Sequence, residues 1–117
     1  MTTPQLCLPT VYLNGSFLPI EEATISPLDR GFIFGDGVYE VIPFYAGRGL
    51  RLHEHLKRLQ RSLDAVDIGN PYAIEQWEST IARLVEINGG HGGNNNVGVY
   101  IQVTRGVAKR DYPRRLV

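Results

Sequence analysis

The chain has 117 residues, which is enough for one domain with one hydrophobic core. Hydrophobic residues make up 43% and charged residues 21% of the sequence, as in ordinary soluble globular proteins. Twelve basic residues balance twelve acidic ones, so charge gives no reason to expect nucleic acid or an anionic membrane as a partner. No apolar run approaches the ~20 residues of a membrane span, and no signal peptide is visible at the N-terminus. We expect a cytoplasmic protein without an intrachain disulfide, since Cys7 is the single cysteine.

The first predicted element is a β-hairpin. Residues 11–13 and 16–18 favour strands, and Asn14-Gly15 between them tolerates the positive φ angles of a type I′ turn. The following stretch, residues 29–37, is too rich in glycine for a stable helix, so we predict a shaped loop.

A strand is predicted next, over residues 38–45, followed by a turn at residues 46–49 and a short returning strand at residues 50–52. An amphipathic helix should follow and close at Gly69. Its apolar stripe has steps of three and four and consists of Leu52, Leu56, Leu59, Leu63 and Val66.

A second helix is predicted to begin at Asn70-Pro71, with asparagine as the N-cap and proline at the first helical position. Its stripe consists of Ile74, Trp77, Ile81, Leu84 and Val85. A flexible loop at residues 88–96 and a strand at residues 97–104 complete the order. This order predicts an α+β domain, a mainly antiparallel sheet with two helices packed on one face.

Three segments, taken together, resemble a known family. They are residues 29–41, which include Gly-Asp-Gly-Val-Tyr-Glu, then residues 54–59 and residues 102–106. In this order and at these separations they resemble the fold-type-IV pyridoxal-phosphate aminotransferases, and the first is most similar to the D-amino-acid aminotransferase branch. The resemblance runs from about Tyr12 to Arg110. It implies that residues 1–117 form the small N-terminal domain of such an enzyme.

The resemblance implies a role for each matching residue. Arg58 would grip the phosphate of pyridoxal 5′-phosphate, and Tyr39 would help to hold the substrate carboxylate. Val41 and Tyr100 would line the site. Arg110 would belong to a carboxylate trap supplied across the interface of a homodimer, and the substrates would be two small molecules, an amino acid and a 2-oxo acid.

The residues themselves allow plainer interpretations. Arg58 lies on the shoulder of the first helix, where its planar guanidinium suits two phosphate oxygens, but most arginines in such positions are simply solvated. Tyr39 shares a strand face with Val41 and combines an apolar ring with a hydroxyl, which suits a pocket wall or an ordinary rim position. The glycines at 31, 35 and 37 permit close backbone approach but do not form a nucleotide-binding fingerprint.

The chain departs from the D-amino-acid branch after its last strand. That branch usually has arginine and histidine two residues apart, whereas this chain has Arg110 and Tyr112. A tyrosine hydroxyl donates a hydrogen bond to a carboxylate but carries no imidazolium charge. Stereochemical preference and substrate range therefore stay open.

A lysine for cofactor attachment is missing. Of the two lysines, Lys57 falls on the charged face of the first helix and Lys109 follows the last strand, and neither is predicted to be buried. The resemblance places the Schiff-base lysine in a second domain, so we expect the 117-residue chain alone to be inactive. His53 and His55 are two apart on a helix and do not face each other, which argues against a metal site.

We therefore predict the N-terminal domain of an aminotransferase that moves an amino group between a D-amino acid and a 2-oxo acid. Two alternatives remain. One is another fold-type-IV enzyme, such as an amine transaminase, a branched-chain aminotransferase or an aminodeoxychorismate lyase. The other is a truncated, non-catalytic module.

Overall fold

Two antiparallel sheets and a helical layer make up the computed structural model, which describes residues 9–89 and 96–107. Its elements, in chain order, are β1 (Thr10–Leu13), β2 (Ser16–Pro19), a 3₁₀ turn (Ile20–Glu22), α1 (Arg30–Phe34), β3 (Gly37–Tyr45), β4 (Arg48–Gly49), α2 (Leu52–Ala65), α3 (Ile74–Ile87) and β5 (Val97–Thr104). Among these residues, none of the helices has the length and apolar character needed to cross a bilayer.

The predicted hairpin is confirmed. Strands β1 and β2 pair antiparallel, and both turn residues have positive φ, 48° at Asn14 and 97° at Gly15. The hairpin is fastened to the end of α3 because the Asn88 side chain both accepts from the Thr10 N–H, at 3.0 Å, and donates to the Thr10 carbonyl, at 2.9 Å.

The prediction of a loop over residues 29–37 is wrong for its first half, because Arg30–Phe34 form the helix α1. The Asp29 carboxylate caps this helix by accepting from the Gly31 N–H at 2.8 Å, and Gly35 ends it in the left-handed conformation, with φ 66°. The Arg30 N–H also donates to the Gly106 carbonyl at 2.8 Å. Caps and tertiary bonds thus offset the entropic cost that glycine imposes on a helix.

The main sheet has the strand order β4-β3-β5, with both pairs antiparallel. Ala46 and Gly47 alone make the turn, at φ 51° and 81°. The returning strand is therefore β4, Arg48–Gly49, and not the predicted residues 50–52. The turn is tighter than predicted because Ala46, like Gly47, adopts a positive φ.

Both long helices form, but their ends differ from the predictions. Helix α2 stops at Ala65, short of Gly69, because Asp67 takes a positive φ of 59° and the Arg105 guanidinium binds the carbonyls of Val66 and Asp67, at 2.6 and 3.1 Å. The carbonyls that follow the last turn are thus satisfied by a side chain from the end of β5.

Helix α3 begins at Ile74, with Ala73 as its N-cap, so the predicted start at Asn70-Pro71 is wrong. The Asn70 side-chain oxygen instead accepts from the Tyr72 N–H at 3.2 Å and from the indole N–H of Trp77 at 2.8 Å. Asn70 therefore binds the indole of the buried Trp77 and lies outside the helix.

The helices α2 and α3 cover one face of the β3–β5 pair, which confirms the predicted α+β architecture. The core between them consists of Ile42, Phe44, Leu56, Leu59, Leu63, Ile68, Trp77, Ile81, Val85, Val99 and Ile101. Because side chains alternate along a strand, the intervening residues of β3 and β5 face the other side of the sheet. Neither α2 nor α3 packs on that side, which we call the open face.

Candidate functional site

Three of the predicted site residues lie together on the open face. Val41 of β3 is directly opposite Tyr100 of β5, and Tyr39 lies diagonally from Tyr100. The two tyrosine rings stack, with centroids 5.6 Å apart and planes at 12°. Tyr39, Val41 and Tyr100 are 63%, 46% and 60% exposed, which is unusual for large residues in the central part of a sheet. A contiguous exposed apolar surface of this kind is typical of an interaction site.

Arg58 reaches the site from the helical side. It stands on α2, where its Nε donates to Oε2 of Glu40 at 2.8 Å and its Nη2 donates to Oε1 at 2.9 Å. This is the two-pronged geometry in which a guanidinium fits a carboxylate. A guanidinium has five N–H donors, so three remain, and the side chain is 59% exposed.

Glu40 is the functional candidate that the sequence analysis missed. It is only 3% exposed, on the core side of β3, and Nδ1 of His55 lies 2.8 Å from its Oε1. The hydrogen bonds from Arg58 lower the pKa of Glu40 and, with those from His55, outweigh the opposing effect of burial. Since an ionised carboxylate only accepts, His55 Nδ1 is the donor. A charged residue at an inward position between Val38 and Ile42 was the available signal.

Strand alternation separates Tyr39 from Glu40 although the two residues are adjacent in sequence. The pKa of Arg58 is raised, first by its hydrogen bond to Glu40 and then by the charge of that carboxylate. Residues 39 and 40 direct one side chain to each side of the sheet, and Glu40 is the one that binds the guanidinium.

A second carboxylate, Asp36, ties down the segment before Tyr39. Its Oδ2 accepts from Nε of Arg30 and from Nε of Arg105, each at 2.9 Å. Burial alone would raise the pKa of Asp36, but the hydrogen bonds from Arg105 and Arg30 together lower it. The two ion pairs of Asp36 join α1 to the end of β5, and so fix where β3 starts.

Two glycines let the backbone of this segment approach β5. A Cβ on Gly37 would lie 2.6 Å from the Val103 carbonyl oxygen, and one on Gly31 would collide with the Thr104 side chain. The prediction that glycines in this segment permit close backbone approach agrees with the contacts of Gly31 and Gly37.

The sequence profile of the family described as amino-transferase class IV matches residues 37–116. The chain belongs to the class IV aminotransferase family. The matched region begins with β3 and includes Tyr39, Glu40, Arg58 and Tyr100, the residues that build the site.

A curated relative and two solved structures are similar to the chain, the relative in sequence and the structures in fold. The chain is 38% identical over 102 residues to a D-alanine aminotransferase of Staphylococcus haemolyticus, covering 87% of this chain and 35% of that protein. A branched-chain aminotransferase from Thermoproteus uzoniensis shares the fold, with a TM-score of 0.78 at 24% identity, over 93% of this chain and 37% of the other. A hypothetical aminotransferase from Mycobacterium tuberculosis, solved in its PLP-bound form, also shares it, with a TM-score of 0.73 at 22% identity, over 84% and 34%. The chain thus spans about a third of the length of its relatives.

Some predicted residues of this class IV aminotransferase domain lie outside the described residues, namely Arg110, Tyr112 and Lys109. Lys57 is described and is exposed on α2. Within residues 9–89 and 96–107, no three histidine, cysteine, aspartate or glutamate side chains gather as a metal site would require.

Proposed function

We propose that this chain is the N-terminal domain of a pyridoxal-phosphate-dependent aminotransferase that moves an amino group between a D-amino acid and a 2-oxo acid. The observation that carries the proposal is that one domain has an exposed aromatic sheet face, with Tyr39 and Tyr100, and an Arg58 guanidinium that Glu40 holds by one edge only. The chain is also 38–41% identical to D-alanine aminotransferases. The cofactor would lie near Arg58, and the substrate would lie against the open face.

The donors of Arg58 fit a phosphate group. Glu40 occupies the edge formed by Nε and Nη2, and three N–H groups remain on Nη1 and Nη2. That second edge presents two parallel donors, the arrangement that binds two phosphate oxygens. The 59% exposure of the side chain keeps these donors accessible.

The substrate carboxylate would be held by Tyr39, whose hydroxyl is an available donor on the open face, while Val41 and Tyr100 would shape the space for the side chain. We assign Arg110 and Tyr112 to the carboxylate trap, contributed to the neighbouring subunit of a homodimer. An arginine and a phenol in such a trap recognise the carboxylate by charge and by hydrogen bonding.

The chemical step needs a lysine that residues 1–117 are not expected to supply. When bound, pyridoxal phosphate supplies the carbonyl group that receives the amino group. Lys57 is exposed on α2, and the family resemblance places the Schiff-base lysine in a second domain. We therefore propose that a lysine outside residues 1–117 holds the cofactor and that these residues alone do not transaminate. The role of this domain would be to bind the cofactor phosphate and to orient the substrate.

A second class IV activity is favoured by one observation. Tyr112 stands where the D-amino-acid branch usually has histidine. The loss of a titratable cation from the trap favours a change in stereochemistry or in substrate class, such as an L-branched-chain amino acid or an amine.

The test uses the protein produced from its complete gene, with intact mass and visible absorbance recorded on one sample. We expect a bound-cofactor band that shifts when D-alanine is added and not when L-leucine is added. A shift with L-leucine or an amine alone supports the second activity, and a colourless protein of any length refutes both. The 117-residue chain, with a mass of 13.1 kDa, serves as the inactive control.

A further inference from the structure

Glu40 has the burial of a core residue and the contacts of a functional one. Its side chain is 3% exposed, on the face of β3 that packs against α2, and its side-chain hydrogen bonds go to Arg58 and His55. Burying a charge is costly unless it is paired and hydrogen-bonded. A leucine or valine here would extend the core at no such cost, so what distinguishes the carboxylate is its bonds to Arg58 and His55.

Its bonds restrain the guanidinium in a specific way. A single bond would leave Arg58 free to rotate about that contact, whereas two parallel bonds define the plane of the guanidinium. They also decide which edge is occupied. The edge formed by Nε and Nη2 faces Glu40, and the edge formed by Nη1 and Nη2 is left for a ligand.

His55 restrains the carboxylate in turn. It precedes Arg58 by three positions on α2, so both side chains project from the same side of the helix. With Nδ1 donating to Oε1, the carboxylate cannot rotate without losing a bond to the helix. The three residues form a chain of contacts from histidine to carboxylate to guanidinium.

We propose that Glu40 is a positioning residue for the cofactor phosphate: it holds Arg58 by one edge, with His55 fixing the carboxylate, so that the other edge is presented to the phosphate. This inference rests on the proposed function, since the identity of the anion comes from there. It adds a residue that acts through Arg58 without touching the cofactor.

The decisive variant is Glu40→Gln, which keeps the shape but removes the charge and one of the two acceptors for Arg58. Its matched control is Glu54→Gln, an exposed glutamate in the first turn of the same helix. Dissociation constants are measured for pyridoxal phosphate and for pyridoxal, which lacks the phosphate, with the protein from the complete gene. We expect Glu40→Gln to weaken pyridoxal phosphate about tenfold, the effect of one lost charge-assisted bond, and to leave pyridoxal within about twofold.

A readout that does not depend on the cofactor is the Nε–H signal of Arg58 in NMR spectra of the ¹⁵N-labelled 117-residue chain. We expect a distinct, slowly exchanging signal in the wild type and in Glu54→Gln, and its loss in Glu40→Gln. Should Glu40→Gln fail to fold by circular dichroism, Glu40→Asp replaces it, since a shorter carboxylate keeps the charge but cannot reach both nitrogens.

Two results would overturn the inference. One is a folded Glu40 variant whose affinity for pyridoxal phosphate equals that of Glu54→Gln, and the other is an equal loss for pyridoxal and pyridoxal phosphate. Arg58→Lys separates this from the proposed function. If that variant keeps the full preference for the phosphorylated ligand, the assignment of Arg58 fails and Glu40 fails with it. If Arg58→Lys loses the preference and the Glu40 variant does not, only the positioning role is wrong.

Discussion

Tyr39 of β3 and Tyr100 of β5 stack across the main sheet with their ring centroids 5.6 Å apart and their planes at 12°. The stack lies on the face opposite α2 and α3, and the pairing of β3 with β5 brings the two rings together. It holds the Tyr39 ring against a neighbour on the open face, where we propose that the substrate lies. The hydroxyl and the ring of Tyr39 can therefore be tested separately.

Under the proposed function, Tyr39→Phe in the protein from the complete gene keeps the ring stack and removes the hydroxyl. We expect kcat/KM for the amino acid to fall about tenfold to a hundredfold, the loss expected for a hydrogen bond to a charged carboxylate. Tyr100→Phe is the matched control and should change kcat/KM less than about threefold. Steady-state kinetics with D-alanine decide the matter, and equal effects of the two variants would contradict the role of Tyr39.

Replacing Asp36 should loosen the segment that leads into β3. Asp36→Asn cannot keep the charge that pairs with Arg30 and Arg105, and we expect about 2 kcal/mol less free energy of unfolding. Urea denaturation of the 117-residue chain measures this. Asp64→Asn, on the exposed side of α2, retains an oxygen for its contact with Gln60 and should change stability by less than about 0.5 kcal/mol. A similar loss of unfolding free energy in both variants would contradict a stabilising role for the ion pairs of Asp36 with Arg30 and Arg105.

Acid should destabilise the domain through both carboxylates. The folded state lowers the pKa of Glu40 below its ordinary value of 4.5 and that of Asp36 below 3.8. A lowered folded-state pKa adds stability above the ordinary value, and this stability is lost as the pH falls through the folded value. We expect the free energy of unfolding to be level near neutral pH and to fall from about pH 4.5 downward.

Urea midpoints measured over this pH range provide the check, and the Glu40→Gln variant provides the control. Its midpoint should depend less steeply on pH than that of the wild type, because one of the two carboxylates whose pKa is lowered by folding is gone. A wild-type midpoint that does not change down to about pH 3 would show that neither carboxylate is stabilised by folding.

Gly37 should not tolerate a methyl group. Its Cβ would lie 2.6 Å from the Val103 carbonyl, so β3 and β5 would have to separate at the start of their pairing. We expect Gly37→Ala to cost about 2 kcal/mol, within the range for overpacking. Gly98→Ala, on the same strand pair, meets nothing within 4 Å and should be neutral or better. Thermal unfolding of the two variants side by side makes the comparison, and equal melting temperatures would disprove the close-approach argument.

Local patterns predicted the elements whose stability is local. Asn14-Gly15 is sufficient to define a hairpin, and the apolar stripes of α2 and α3 define helices wherever their ends fall. Helix α1 was missed because two of its stabilising contacts leave no local pattern. The Arg30 N–H donates to the carbonyl of Gly106, which is distant in sequence, and the Arg30 side chain forms an ion pair with Asp36. Local sequence patterns do not reveal those partners.

The site divides in the same way. Strand alternation places Tyr39 and Val41 on one face, and helical periodicity gives the shoulder position of Arg58. Tyr100 was named by the family resemblance alone. The role of Glu40 does not follow, because a glutamate in a strand is normally exposed and only the packing of α2 on β3 shows that it faces a guanidinium. The resemblance to a family named Arg58, and the structure adds the residue that restrains it.

The alternation along β3 has an evolutionary consequence. Tyr39 and Val41 face the open side, while Glu40 and Ile42 are locked into the helical layer by ion pairs and packing. Substitutions at the outward positions alter the surface that we propose is offered to a substrate, without disturbing the core, so new specificities are reachable by single changes that leave folding intact. An insertion or deletion within the strand has the opposite effect, because it exchanges the two faces at once and removes both the core and the recognition surface.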